Sequence, residues 1–266
     1  VERLKLYGVP EKNIYHTGFP LPTSTIGGAS STIINPDLHR RLCQLDPKGI
    51  FLAKYARTLE QHFGSRLCAL KLKKAPTVLT FAVGGAGAQQ EIGAEAAASL
   101  ASRLKRREIE LHLVAGIRTD VAQFYRQTLD SIGLTKELGK SIFILQSQSR
   151  HDYFDAFNAL LRKTDVLWTK PSELSFFTGI GLPIIMAPAV GSQEIFNRRW
   201  LHQVGGGVSQ NDPRCVDEWL FDWIESGGLA RLAWNGFIEA PTHGVYRIAD
   251  IINGNESGLR RLPYII

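Results

Sequence analysis

Four short segments carry residues suited to holding a phosphate or a polyhydroxylated ring. The first is Gly84-Gly85-Ala86-Gly87, between an apolar run and an alanine-rich stretch of helical character. Such small residues let a backbone approach a ligand closely, and a helix start behind them offers unpaired N–H groups to an anion. The same composition also serves a plain strand-to-helix turn. Glycines at 84, 85 and 87 are not the dinucleotide G-x-G-x-x-G spacing, and no Gly-Lys-Ser/Thr follows as in a Walker loop. The second segment, Leu145-Gln146 running on to Arg150, presents backbone and polar groups that could face a nucleobase or simply water. In the third, Lys170 could hold a phosphate or stand in solvent, while Ser172 suits an N-cap and Glu173 a first turn. The fourth is Gly191-Ser192-Gln193-Glu194 with Asn197 beyond it. Gln193 and Asn197, four apart, share a helical face. Amides beside a carboxylate supply the donors and acceptors that sugar hydroxyls need. The plainer role here is capping by Ser192, with Glu194 near the helix dipole.

These segments need a scaffold that gathers them. After Pro76 apolar runs alternate with helical periodicity: strands are predicted at 77–83, 110–115, 141–145, 165–169 and 182–187, helices at about 88–104, 119–131, 151–163, 172–179 and 192–203. That alternation implies right-handed βαβ crossovers and a parallel sheet covered on both faces, an α/β Rossmann-like fold. Ligands of such sheets gather outside the carboxyl ends of the strands, where all four segments fall. Residues 1–22 read as a short helix, a turn, a strand at 13–17 and a Pro-rich connector closing a preceding domain. Residues 23–75 read as a loop to about 40, then one or two helices broken near Pro47-Lys48-Gly49, an insertion ahead of the α/β domain at 76–266. The tail from Pro213 is mainly helical.

The 266 residues are 44% hydrophobic and 21% charged, ordinary globular composition with no sign of disorder or fibrous repeat. A net charge of +6 favours anionic partners. The basic residues cluster at His39-Arg40-Arg41, Lys71 to Lys74, Arg103 to Arg107 and Arg198-Arg199. No aromatic residues interleave with them as in nucleic-acid-binding motifs, so no nucleic-acid partner is expected. The 103–107 cluster has a second reading as cations at a helix end. Three scattered cysteines, Cys43, Cys68 and Cys215, offer neither a metal spacing nor a disulfide framework, and a reducing compartment is expected. The longest apolar run, 179–190, is too short for a membrane span and is interrupted by Pro183 and Pro188. A cytoplasmic location is therefore expected, with peripheral contact to anionic membrane left open by the basic clusters. The start at Val1, without a signal peptide, and the abrupt end read as a piece of something longer.

The order of the four segments resembles the C-terminal, donor-binding domain of the GT-B glycosyltransferases related to monogalactosyldiacylglycerol synthase and to the N-acetylglucosaminyl transferase that makes lipid II. The resemblance covers about residues 76–255, with a shorter match at 8–20, Gly8-Val9-Pro10 through Thr17-Gly18-Phe19-Pro20. It implies that Gly84, Gly85, Ala86, Gly87 and Lys170 meet the donor diphosphate and that Leu145, Gln146, Ser172 and Glu173 surround the nucleoside. By the same likeness Gly191, Ser192, Gln193, Glu194 and Asn197 hold the donor sugar, without a metal or other cofactor. The loop at 170–173 is shorter than the family's glycine-containing version, and Phe176 stands where many relatives carry a glutamate. Residues 23–75 have no counterpart. In the family an N-terminal domain supplies acceptor binding and most of the base function, so no general base is assigned here; His16, at the domain junction, is the one candidate. The implied activity is transfer of a hexose from a UDP-sugar to a hydroxyl acceptor, lipid-linked acceptors included. A nucleotide-sugar epimerase or hydrolase, or a non-catalytic nucleotide-sugar-binding protein, would fit the same fold.

Overall fold

A computed structural model describes residues 2–64, 75–82 and 89–255. Short, β-branched and aromatic apolar runs form its strands: β1 (Thr77–Ala82), β2 (Ile109–Gly116), β3 (Ile142–Gln146), β4 (Val166–Thr169), β5 (Ile184–Met186) and β6 (Gly207–Ser209). Every residue of β4 and β5 is buried, as both-face coverage demands. Among the described residues these six strands make one parallel sheet in the order β3-β2-β1-β4-β5-β6. The order reverses between β1 and β4, which opens a crevice above their carboxyl ends.

Before the sheet come α1 (Glu2–Leu6), α2 (Thr23–Ile26), α3 (Ile34–Gln44), α4 (Ile50–Lys54) and α5 (Ala56–Phe63). The crossovers are α6 (Gln90–Ser99) with α7 (Ala101–Lys105), α8 (Thr119–Ser131), α9 (Arg150–Lys163), α10 (Leu174–Gly179) and α11 (Ser192–Gln203). The tail adds α12 (Val216–Glu225), α13 (Gly228–Glu239) and α14 (Gly244–Ile252). The two-residue period of the strands divides the interior into two cores. Leu79, Phe81, Leu111, Leu113 and Trp168 pack with α6, α8 and α12; Ala82, Val114, Leu167, Ile184 and Met186 pack with α9, α10 and the start of α3. Helix α6 lies so close to the sheet that a Cβ on Gly93 would stand 2.7 Å from Phe81.

Three local expectations are corrected. Residues 13–17 form no strand; a 3-10 turn at Glu11–Asn13 precedes an irregular connector, whose Phe19 N–H donates to Pro241 O at 2.9 Å. Residues 23–40 are partly helical, as α2 and the first half of α3. The strand β6 was not expected, because Gly207–Ser209 is too short and glycine-rich to show an apolar pattern. The cysteine reading also changes: Cys215 is free and exposed, but Cys43 on α3 is disulfide-bonded, which removes the support for a reducing compartment. Linear spacing does not reveal which sulfurs meet in space. Among the described residues no helix is long and apolar enough to cross a membrane.

Within the cluster His39-Arg40-Arg41 both arginines turn their charge to internal partners rather than to an anion, although only Arg41 is buried and His39 and Arg40 stay partly exposed. Arg40 pairs with Asp165, whose other oxygen accepts the Val78 N–H at 2.9 Å. Arg41 is 1% exposed and donates to the carbonyls of Thr164, Ile180 and Gly181, each at 3.0 Å, and to Leu161 O at 3.5 Å. Those carbonyls lie at the C-terminal ends of α9 and α10, where the helix dipole favours a cation. Burial, with Arg40 adding to it and Asp165 and Asp37 opposing, lowers the Arg41 pKa to about 10, so it stays charged at neutral pH. Replacing Arg41 by Met should cost roughly 3 kcal/mol or more, because several buried carbonyls lose their donor together. Urea unfolding measures this directly; a loss below about 1 kcal/mol would show that water takes over those carbonyls.

Candidate functional site

The strand ends level out across the crevice: Ala82 pairs with Thr169 and Thr169 with Met186. Thr169 Oγ1 closes the junction by donating to Ala82 O at 3.1 Å. The loops after β1, β4 and β5 therefore leave the sheet side by side.

Gly84, Gly85, Ala86 and Gly87 lie outside the described residues, but both flanks of their turn are placed. Ala82 ends β1, and Gln89, at φ 71°, is the N-cap of α6. The Gln89 amide reaches across to donate to Pro188 O at 2.8 Å, tying the entry of α6 to the loop after β5. The amide was invisible to motif reading, since a lone Gln after a glycine run has no pattern.

The β4 and β5 loops are clasped more firmly. Lys170 Nζ donates to Glu194 Oε1 at 2.8 Å, and Glu194 Oε2 accepts the Val190 N–H, also at 2.8 Å. One carboxylate thus neutralises Lys170 and caps the residue before Gly191, the N-cap of α11. Asn197, one turn on, donates its amide to Pro171 O at 3.1 Å and Ser172 O at 3.0 Å. Residues that the sequence assigned to separate subsites, Lys170 to phosphate and Glu194 and Asn197 to sugar, meet in one cluster. Gly191, Ser192 and Gln193 are exposed along the same edge.

Two capping expectations are corrected. Ser172 does not cap α10: its N–H turns back to Lys170 O at 2.8 Å, the N-cap is Glu173 without a side-chain bond, and the helix begins at Leu174. Ser192 is the first residue of α11, with Gly191 as its N-cap. Both Ser172 and Glu173 are exposed. On the far side of the crevice Leu145 and Gln146 end β3, half-buried, and Ser147 N–H donates to Gly116 O at 2.8 Å. The next turn is spent on a cap, Ser149 accepting from Asp152 N–H at 3.1 Å. His16 is exposed on the connector that joins residues 241–244, and no contact brings it to the clasp. Among the described residues no three His, Cys, Asp or Glu side chains gather as a metal site.

Burial would raise the Glu194 pKa, but the Lys170 and Val190 hydrogen bonds outweigh it and the net shift is downward. A lowered carboxylate pKa stabilises the fold above its unfolded value, and that contribution disappears as pH falls through the folded one.

The fold and crevice define the class: a Rossmann-like α/β domain with a six-stranded parallel sheet, of the GT-B type. A family described as a domain of unknown function, DUF6938, matches residues 118–246. No curated protein matches. Among solved structures, the chain is similar over 100% of its length to a protein of Listeria monocytogenes provisionally assigned as a UDP-N-acetylglucosamine 2-epimerase, at 16% identity and a TM-score of 0.53. It is likewise similar over 98% of its length to MnaA of Staphylococcus aureus in a co-structure with UDP, at 12% identity and 0.51. A glycosyltransferase from Rickettsia africae overlaps 82% of the chain and 55% of its own, at 13% identity and 0.43. The chain spans 60% and 58% of the first two structures.

Replacing Glu194 by Gln should lower stability by about 1 kcal/mol at pH 7, the scale of a half-buried charge-assisted bond. The difference should diminish when pH 7 is compared with an acid pH below the depressed folded pKa of this carboxylate, where the native side chain has taken up its proton as well. Urea unfolding at both values checks it, and an undiminished difference in acid would show that packing rather than charge holds the clasp.

Proposed function

We propose that this chain is the nucleotide-sugar-binding half of an enzyme that transfers a hexose from a UDP-sugar to a hydroxyl acceptor. The observation that carries the reading is the Lys170–Glu194–Asn197 cluster beside the topological switch point, where the loops after β4 and β5 gather an ammonium, a carboxylate and an amide at the end of the sheet that takes ligands. An ammonium beside the crevice suits a diphosphate, and an amide–carboxylate pair suits hydroxyls. In this reading Gly84, Gly85, Ala86 and Gly87 approach the diphosphate with Lys170, and Leu145, Gln146, Ser172 and Glu173 flank the nucleoside. Gly191, Ser192, Gln193, Glu194 and Asn197 orient the sugar. Lys170 and helix-end N–H groups stabilise charge developing on the departing UDP, and the sugar contacts act by positioning. The order of the segments allies the chain with the monogalactosyldiacylglycerol synthase and lipid II-forming group, which makes a lipid-linked hydroxyl compound the acceptor to try first.

A second reading is favoured by the similarity of the whole of this chain to part of the Listeria protein: epimerisation of a UDP-sugar with no acceptor. Incubating the complete protein with UDP-N-acetylglucosamine alone separates the two, because an epimerase alters the donor unaided and a transferase leaves it nearly intact.

The double replacement Gln193→Ala, Glu194→Ala in the complete protein should weaken donor binding or slow turnover at least about tenfold, the scale of losing one or two buried polar contacts. Titration calorimetry with UDP-sugar and steady-state kinetics read it out. Unchanged values in both would remove these residues from the site.

A further inference from the structure

A cavity of about 260 Å³ lies away from the strand ends, in the layer of helices that covers one face of the sheet. Its walls come from α9 between Asp155 and Arg162, from Phe176 and Ile180 on or beside α10, and from α2 and the first turns of α3. Ile34, Leu161, Phe176 and Ile180 give it an apolar floor. Ser24, Thr25 and Asn158 add neutral hydrogen-bonding groups. The space would take roughly nine waters at the liquid volume of about 30 Å³ each, enough for a ring or a short chain with one polar head.

Arg41 also lines this cavity, and its state is unusual. A fully buried guanidinium ordinarily has a carboxylate of its own. Here the nearby acids are committed elsewhere: Asp165 to Arg40, and Asp37 to Arg162 at 2.9 Å. Arg41 itself hydrogen-bonds only to carbonyls, with Asp165 and Asp37 favouring its charge through space, and its Nη2 carries the longest of those bonds, 3.5 Å to Leu161 O. Asp155, on the outer wall, faces His151 at 3.2 Å. The lining holds two acids, Asp37 and Asp155, against two cations, Arg41 and Arg162, so a dianion such as phosphate would leave a larger uncompensated charge than a single negative charge placed next to Arg41.

We propose that this cavity is a binding site for a small monoanionic organic acid, its carboxylate directed to Arg41 and its apolar body laid on Phe176 and Ile180. The site is independent of the nucleotide-sugar reading, since its residues come from the helical layer and not from the strand-end loops.

The test uses the chain with 3-phenylpropionate as probe, 3-phenylpropanol as its uncharged counterpart, and acetate as the head group alone, each followed by titration calorimetry. 3-Phenylpropionate should bind at least tenfold tighter than either control. Ala159 is exposed at the cavity wall, so Ala159→Trp should block the opening, lower that affinity at least tenfold, and leave the thermal unfolding midpoint in place. UDP added to saturation should not displace the probe. The proposal is overturned by no binding, by equal binding of acid and alcohol, by retained affinity in Ala159→Trp, or by displacement with UDP, which would assign the cavity to the strand-end site. Failure of UDP to bind at all would count against the nucleotide-sugar reading and leave the acid titration unaffected.

Discussion

A cation placed at the converging ends of two helices holds the protein together. Arg41 sits where the carbonyls that close α9 and α10 point into the interior, and it answers them all with one planar group. Without it, these carbonyls would be buried acceptors with no donor, and the ends of both helices would have to open toward water. Arg40 fixes the adjoining strand in the same stroke through Asp165, which in turn holds the N–H of Val78, the second residue of β1. The segment before the sheet is thereby locked to the base of β1 and β4, the pair between which the crevice opens. Long apolar contacts fill the space around it, but they lack direction, and the charge network sets the register of α3 against the sheet.

With the base fixed, the other end of the sheet is organised by polar groups drawn from different loops. Hydrogen bonds from Gln89, Lys170 and Asn197 bridge three successive exits of the sheet, so the rim does not depend on packing for its shape. The bridges run between loops and not within them. A loop's own sequence therefore says little about its conformation there. The short β4–α10 connection illustrates this: its bend at Ser172 is stabilised by an amide from α11 and not by the residue's own hydroxyl.

Much of the architecture was legible because buried parallel strands leave an unmistakable imprint, near-continuous apolar runs separated by amphipathic stretches. Five strands and the main crossover helices followed from that imprint alone. Where the imprint is weak the reading failed: β6 contains a glycine and a serine in three residues, and Thr23–Ile26 is a single helical turn. At the site, residue types were readable and partnerships were not. Lys170 and Glu194 stand 24 positions apart, and only the adjacency of β4 and β5 brings them within a hydrogen bond. Arg40 and Arg41 failed in the opposite sense. A run of basic residues suggests a surface, yet one of them belongs to the core, because the acceptors that justify burying it lie more than a hundred residues away.

The ion pair at the rim has an implication for the order in which a ligand's parts are received. The ammonium of Lys170 and both oxygens of Glu194 have partners within the protein. An incoming anion that captured the ammonium would set one carboxylate oxygen free at the same moment, beside the exposed first residues of α11. On the proposed nucleotide-sugar reading, the acceptor for a hydroxyl group would become available only after the charged portion has docked. Neutral sugars would meet an occupied carboxylate and gain little from it, so selectivity for a charged carrier can arise from exchange of partners, without a dedicated steric filter.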